Sequence, residues 1–160
     1  MAHNPPTAIG LISDTHGLLR PEAVAALEGS ELIIHAGDVG EAGILDELRR
    51  MCPVVAVKGN VDREAWASVL PSTAVVEAAC GPIYVLHDLQ QLDIDPAVAG
   101  FPVVISGHSH KPGKHERGGV LYVNPGSAGP RRFRLPITIA RLDVSRNPLR
   151  VEFIHLAAAP

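Results

Sequence analysis

Ala8-Ile9-Gly10-Leu11-Ile12-Ser13-Asp14-Thr15-His16 opens with a five-residue apolar run and ends, after Ser13, in an Asp-x-His pair. The run has the length and composition of a buried strand, and the pair has the residue types of a metal ligand set. The same arrangement recurs down the chain. Leu32-Ile33-Ile34 precedes Asp38, Val54-Val55-Ala56-Val57 precedes Asn60, Ile83-Tyr84-Val85-Leu86 precedes His87, and Val103-Val104-Ile105 precedes His108-x-His110. From His16 to Asp38, Asn60, His87 and His108 the steps are 22, 22, 27 and 21 residues. Steps of that size accommodate a strand, a loop, a helix or hairpin and a return. Each unit is therefore expected to deliver one more donor to the same edge of a sheet.

The segments between these runs fill in an α/β chain. Pro21 to Gly29 reads as a short helix with Pro at its first position, an acid in its first turn and Gly as its stop. Glu41 to Arg50 reads as a second, with Ile44, Leu45 and Leu48 on its apolar face. Asp62 to Leu70 is expected to be a third, with Trp66 and Leu70 turned to the core. From Thr73 onward strands dominate: Thr73 to Ala79 and Ile83 to His87 form a hairpin, followed by Leu121–Val123, Ile137–Leu142 and Arg150–Ile154. An early βαβ half and a later β-rich half predict two sheets packed face to face with helices outside.

At 160 residues and 46% hydrophobic content, residues 1–160 are expected to form one domain around one core. No apolar run approaches the roughly 20 residues needed to span a bilayer. The amino terminus has neither the basic start nor the apolar run of a secretory signal, so a cytoplasmic location is the default expectation. A net charge of −3 argues against stable nucleic-acid binding but not against a nucleotide substrate. Cys52 and Cys80 lack any metal or redox spacing and read as buried free thiols.

Loops leaving the carboxyl ends of parallel strands are where open α/β sheets place their chemistry. Asp14 and His16 can aim at one ion together. Asp38, whose two oxygens allow it to touch two cations, is the expected bridge. A donor set of Asp, Asn and His suits Mn²⁺, Fe, Zn²⁺ or Ni²⁺ better than the oxygen-preferring Mg²⁺ or Ca²⁺.

Taken together, Asp14-Thr15-His16, Gly37-Asp38-Val39, Gly59-Asn60-Val61-Asp62, His87, Gly107-His108-Ser109-His110 and the Asn124-Pro125-Gly126-Ser127 loop resemble the calcineurin-like metallophosphoesterase superfamily, in its small prokaryotic YfcE-type phosphodiesterase branch. The resemblance implies a four-layer αββα sandwich of two mixed sheets. It also implies two divalent ions, Mn²⁺ foremost, one held by Asp14, His16, Asp38 and His110 and the other by Asp38, Asn60, His87 and His108. Such a pair lowers the pKa of a shared water and binds phosphoryl oxygens, giving hydrolysis of a phosphate ester by a bridging hydroxide. Asp38, Asn60 and His108 are the expected catalytic residues, and Asn60 is expected to contact phosphate as well. The implied substrate is a small phosphodiester or nucleotide. Phosphomonoester or phosphoprotein hydrolysis is the alternative, as is a non-catalytic protein-binding scaffold like the retromer subunit of this fold. A homodimer or homotetramer is compatible with the resemblance.

Two departures stand out. Many members carry a histidine after the Gly-Asn pair, able to protonate the leaving group, where this chain has Val61. Relatives often show Gly-His after the ligand histidine, where this chain has Asp88-Leu89; Asp88 either orients a ligand or faces solvent. Asp62 reads equally as a helix cap and as a site residue. His3, His35, His115 and His155 read as structural or surface residues. Arg131 and Arg132, after a Gly/Pro-rich loop, are candidate phosphate contacts against the plainer reading of solvated charge.

Overall fold

A computed structural model describes residues 4–156. Two five-stranded mixed sheets carry the fold. The first has the order β10-β9-β1-β2-β3, where β1 (Ala8–Ile12), β2 (Leu32–His35) and β3 (Val54–Ala56) run parallel, and β9 (Thr138–Asp143) and β10 (Arg150–His155) are antiparallel additions. The second has the order β4-β5-β6-β8-β7. Here β5 (Gly81–Leu86), β6 (Val103–Ile105) and β8 (Val120–Asn124) are parallel, between the antiparallel edges β4 (Thr73–Ala78) and β7 (Gly113–Arg117).

Alternation along the strands decides the layers. Ile9, Leu11 and Ile34 of the first sheet meet Val76, Ile83, Val85, Ile105 and Val123 of the second in one inter-sheet core. Ile12 and Ile33 turn the other way, under α1 (Pro21–Leu27) and α2 (Ala42–Arg49), with Ala23, Leu27, Ile44, Leu45 and Leu48 facing them. A Cβ on Gly10 would lie 2.7 Å from the Leu27 side chain, so glycine there lets α1 settle on β1.

The fourth layer is thinner than the resemblance implied. Among the described residues the helical elements between β5 and β6 are a 3₁₀ turn, Leu89–Gln91, and the four-residue α3 (Pro96–Ala99), bounded by Asp95 and Gly100. Leu89, Leu92, Ile94, Phe101 and Tyr122 pack against the outer cluster of Tyr84, Leu86, Val104 and Val120. The third helix expected over 62–70 is also shorter, a 3₁₀ turn over Ala65–Val69. Pro71 holds Leu70 extended (φ −79°, ψ 132°), and the Asp62 carboxylate that would cap a helix is occupied elsewhere. Trp66 and Leu70 still pack inward. Among the described residues no helix is long and apolar enough to cross a membrane. Cys52 and Cys80 are free thiols but only half-buried rather than buried, and partial burial raises both thiol pKa values.

Candidate metal centre

All seven expected donors lie at the carboxyl ends of parallel strands. The loops after β1 and β2 are zipped together by backbone bonds from Asp14 N to the Gly37 carbonyl (3.0 Å) and from His16 N to the Asp38 carbonyl (2.9 Å). Within the second sheet Gly107 N donates to the His87 carbonyl (2.9 Å), and the two sheets join at the same edge where His108 N donates to Asp14 Oδ2 (3.0 Å). Five of the seven, Asp14, His16, Asp38, His108 and His110, have positive φ, between 45° and 71°. Left-handed backbone at residues other than glycine is unfavourable, and such residues concentrate at functional sites.

The side chains form two groups with metal-binding geometry: Asp14, His16 and His110, and Asp38, His87 and His108. In the first, His16 Nε2 lies 3.3 Å from His110 Nε2, and Asp14 Oδ1 lies 3.3 Å from His110 Nε2 and 3.7 Å from His16 Nε2. In the second, His87 Nε2 lies 3.2 Å from Asp38 Oδ2, 3.1 Å from Asn60 Oδ1 and 3.3 Å from His108 Nδ1. Asp38 Oδ2 also stands 3.6 Å from His16 Nε2, so one oxygen reaches both groups. Ligands each about 2.0–2.2 Å from a common ion sit roughly 3–3.5 Å apart, which matches these separations.

In the second group, with His87 neutral, the protons do not suffice to join these atoms by hydrogen bonds. His87 Nδ1 is 2.8 Å from the Ala36 carbonyl, which can only accept, so in neutral His87 the proton is at Nδ1 and Nε2 is a lone pair. That lone pair faces a carboxylate oxygen, an amide oxygen and a second imidazole nitrogen. Asp14 Oδ1, fully buried, has no hydrogen-bond partner among the described residues. Its other oxygen is saturated by Ser13 Oγ (2.6 Å) and His108 N. Converging acceptors without a donor are costly when buried, and a cation removes that cost.

The electrostatics agree. Burial alone would raise the Asp14 carboxyl, but the His110, His16 and Ser13 contacts and the nearby His87 charge hold it well below the carboxylate range. Burial also works to raise Asp38, and is outweighed by His87 and the Val61 N–H. His87, which burial would lower, is instead raised by Asp38 and Asp14. The carboxylates are ionised and draw positive charge toward them.

Residues set aside or left open at the sequence level hold this arrangement in place. Asp62 caps no helix. Its carboxylate accepts from Val39 N (3.1 Å), Gly40 N (3.0 Å) and Gly59 N (3.0 Å), tying the Asp38 loop to the Asn60 loop. Gly59 passes so close to Asp38 that a Cβ would collide with its carboxylate. His35 is fully buried. Its Nδ1 accepts from Gly37 N (3.1 Å) and its Nε2 lies 3.0 Å from Thr15 Oγ1, which donates to the Val39 carbonyl (2.8 Å). Asn124 Nδ2 donates to the Gly107 carbonyl (2.9 Å) and Ser109 Oγ (3.0 Å), and Ser127 Oγ to the Asp14 carbonyl (2.9 Å). The Asn124–Ser127 loop thus braces both ends of the donor series.

Asp88 points toward the site rather than away. Its Oδ2 is 3.9 Å from His108 Nε2, and its Oδ1 accepts from Gln90 N. Arg131 and Arg132 are exposed and border neither of the two recesses that flank the second group. His115 and His155 are exposed on β7 and β10, and His3 lies outside the described residues.

The family model described as the calcineurin-like phosphoesterase superfamily domain matches residues 8–147, a span that includes every donor. The chain belongs to this superfamily. Within it, the chain is 38% identical to a probable metallophosphoesterase of Methanothermobacter thermautotrophicus, over 94% of this chain and 93% of that one. It is 28% identical to phosphodiesterase MJ0936 of Methanocaldococcus jannaschii, over 89% and 96% of the two chains. Vps29 of Chaetomium thermophilum shares the fold, with a TM-score of 0.75 at 20% identity, covering 96% of this chain and 100% of that one. Calcineurin-like phosphoesterases use divalent metals, and the two donor groups here are of the kind that holds them.

Proposed function

We propose that this chain is a two-metal phosphodiesterase. Asp14, His16, Asp38 and His110 hold one ion, and Asp38, Asn60, His87 and His108 hold the other. The observation that carries the reading is the position of Asp38 Oδ2, within 3.6 Å of His16 Nε2 and 3.2 Å of His87 Nε2, beside an unpartnered Asp14 Oδ1. Mixed nitrogen and oxygen donors suit Mn²⁺, Fe, Zn²⁺ or Ni²⁺, and the family resemblance puts Mn²⁺ first. When bound, the ions supply Lewis acidity: they acidify water toward neutral pH and offset charge on the phosphoryl oxygens.

The side chains do the placing. Asp38 presents Oδ2 to both groups because Val61 N (3.0 Å) occupies its Oδ1. His87 is fixed by the Ala36 carbonyl, which leaves Nε2 free to ligate. Asn60, on the exposed side of the second group, can turn its amide N–H toward phosphate. His108, nearly half exposed, stands where substrate enters. Two recesses leave this point, one past His108 and one past Asn60 and His87, as the two ester arms of a diester require. The phosphodiesterase among the relatives supports the same choice.

The test is turnover of bis-p-nitrophenyl phosphate by purified protein with Mn²⁺, against a chelator control and an Asp38→Ala variant. Hydrolysis that chelator and substitution both abolish is the expected result. No turnover with Mn²⁺, Fe²⁺, Zn²⁺ or Ni²⁺ favours the scaffold reading. Faster release from p-nitrophenyl phosphate than from the diester favours a monoesterase.

A further inference from the structure

We infer that the recess beyond His108 seats a nucleoside, as one ester arm of the substrate whose phosphate lies at the paired donor groups. This deepens the phosphodiesterase reading and rests on it. The recess has a volume of about 480 Å³, within the range of small-molecule sites. Its floor is the outward face of the second sheet at Ser106, Tyr122 and Asn124, one wall is the turn at Asp88–Gln90, and the other is the segment leading from Lys111 into β7. His108 stands at its inner end, so a ligand seated there extends directly from the donor groups.

Three features point to a flat, hydrogen-bonding occupant. First, the His115 ring lies parallel to that of Tyr122, with centroids 4.9 Å apart and planes within 2°. Tyr122 packs against the outer apolar cluster, whereas His115 is exposed like every position of β7, so the stack presents the imidazole face outward. It offers a flat π surface against which a further ring can pack. Second, Ser106 lines the floor and adds a hydroxyl to the recess. Third, Gln90 and Lys111 on the rim are exposed and make no side-chain bonds among the described residues, leaving an amide and an ammonium for polar edges and phosphate. The other recess, lined by Lys58, Ser72, Thr73, Gln91 and Asp93 among others, is smaller at about 380 Å³ and has no aromatic ring apart from the ligand His87. It suits the simpler arm.

The test uses the Mn²⁺-loaded full chain and two diesters with the same leaving group, thymidine 5′-(p-nitrophenyl) phosphate and methyl p-nitrophenyl phosphate. His115→Ala is exposed and removes half of the stack. It is expected to raise KM for the thymidine ester about fivefold or more, the effect of losing one base stack, with kcat and the methyl ester unchanged. In parallel, the Zn²⁺-loaded chain is titrated with 5′-AMP and with ribose 5-phosphate while the His115 ring protons are followed by NMR. AMP alone should move them. Equal effects of the variant on both esters, or equal shifts with both ligands, overturn the inference. If neither ester is hydrolysed, it is the phosphodiesterase reading that fails, and the AMP comparison still decides the recess.

Discussion

Replacing His35 with Asn should make the protein less sensitive to acid while making it less stable at neutral pH. In the native chain the neutral imidazole is fully matched: Nδ1 accepts from Gly37 N and Nε2–H faces Thr15 Oγ1, whose own proton goes to the Val39 carbonyl. A second proton at Nδ1 would point at the Gly37 N–H. Burial lowers the imidazole pKa from 6.5 to about 4, against the pull of Asp14, Asp62 and Asp38. Between those values the unfolded chain binds the proton and the folded chain does not, so stability is fully present above pH 6.5 and is lost as pH falls through 4. At roughly 1.4 kcal/mol per tenfold in proton affinity, the loss totals about 3 kcal/mol. His87, whose pKa is raised, acts in the opposite sense, contributing stability below pH 6.5; its charge also helps to lower the His35 pKa, and the remainder of its effect is common to both proteins. The measurement is urea unfolding of metal-free native protein and His35→Asn at steps from pH 7.5 to 4. The native protein should be the more stable at pH 7.5, and the gap should narrow by about 3 kcal/mol on acidification. Parallel curves, or a gap that widens, would refute the matched neutral imidazole.

Gly59→Ala drives a methyl into the Asp38 carboxylate at a backbone conformation alanine can otherwise adopt. It should weaken Mn²⁺ affinity at least tenfold by calorimetry, with an overpacking cost of about 1–3 kcal/mol in unfolding. Asp62→Asn sets an NH₂ against backbone N–H groups that now donate to carboxylate oxygens. A loss of about 1–3 kcal/mol in urea unfolding is expected, and a variant as stable as the native chain would show that the loop tie is dispensable. Val61→His restores an imidazole beside Asn60 at a position that is 46% exposed and has room for it. Turnover of methyl diesters should rise roughly tenfold or more relative to nitrophenyl esters, as read from the ratio of kcat/KM values.

The donors were legible because each ends an apolar run, and a run of Val, Ile and Leu broken by Asp or His leaves little choice of where the strand exits. The two sheets were legible for the same reason. The supports were not. Asp62 sits where a helix cap belongs, and only the spatial approach of the loops after β2 and β3 reveals its three backbone partners. His35 lies at the end of an apolar run without any pattern to separate a braced core imidazole from a solvated one. The helix expected over 62–70 is cut short at 65–69 because Pro71 holds Leu70 extended and Asp62 is engaged elsewhere, whereas the 3₁₀ turn at 89–91 and the four-residue α3 are too short to show a helical period. The edge strand β7, whose side chains are all exposed, has no apolar alternation to announce it.

The left-handed turns at Asp14, His16, Asp38, His108 and His110 have an evolutionary corollary. At about 1–2 kcal/mol for each such residue relative to glycine, these five positions together withhold upward of about 5 kcal/mol that the same backbone would recover with less demanding occupants. A lineage relieved of catalysis would therefore gain robustness at the very sites it ceased to use. Decay of the centre in such a descendant would proceed with rising stability, with the sandwich left intact for other employment.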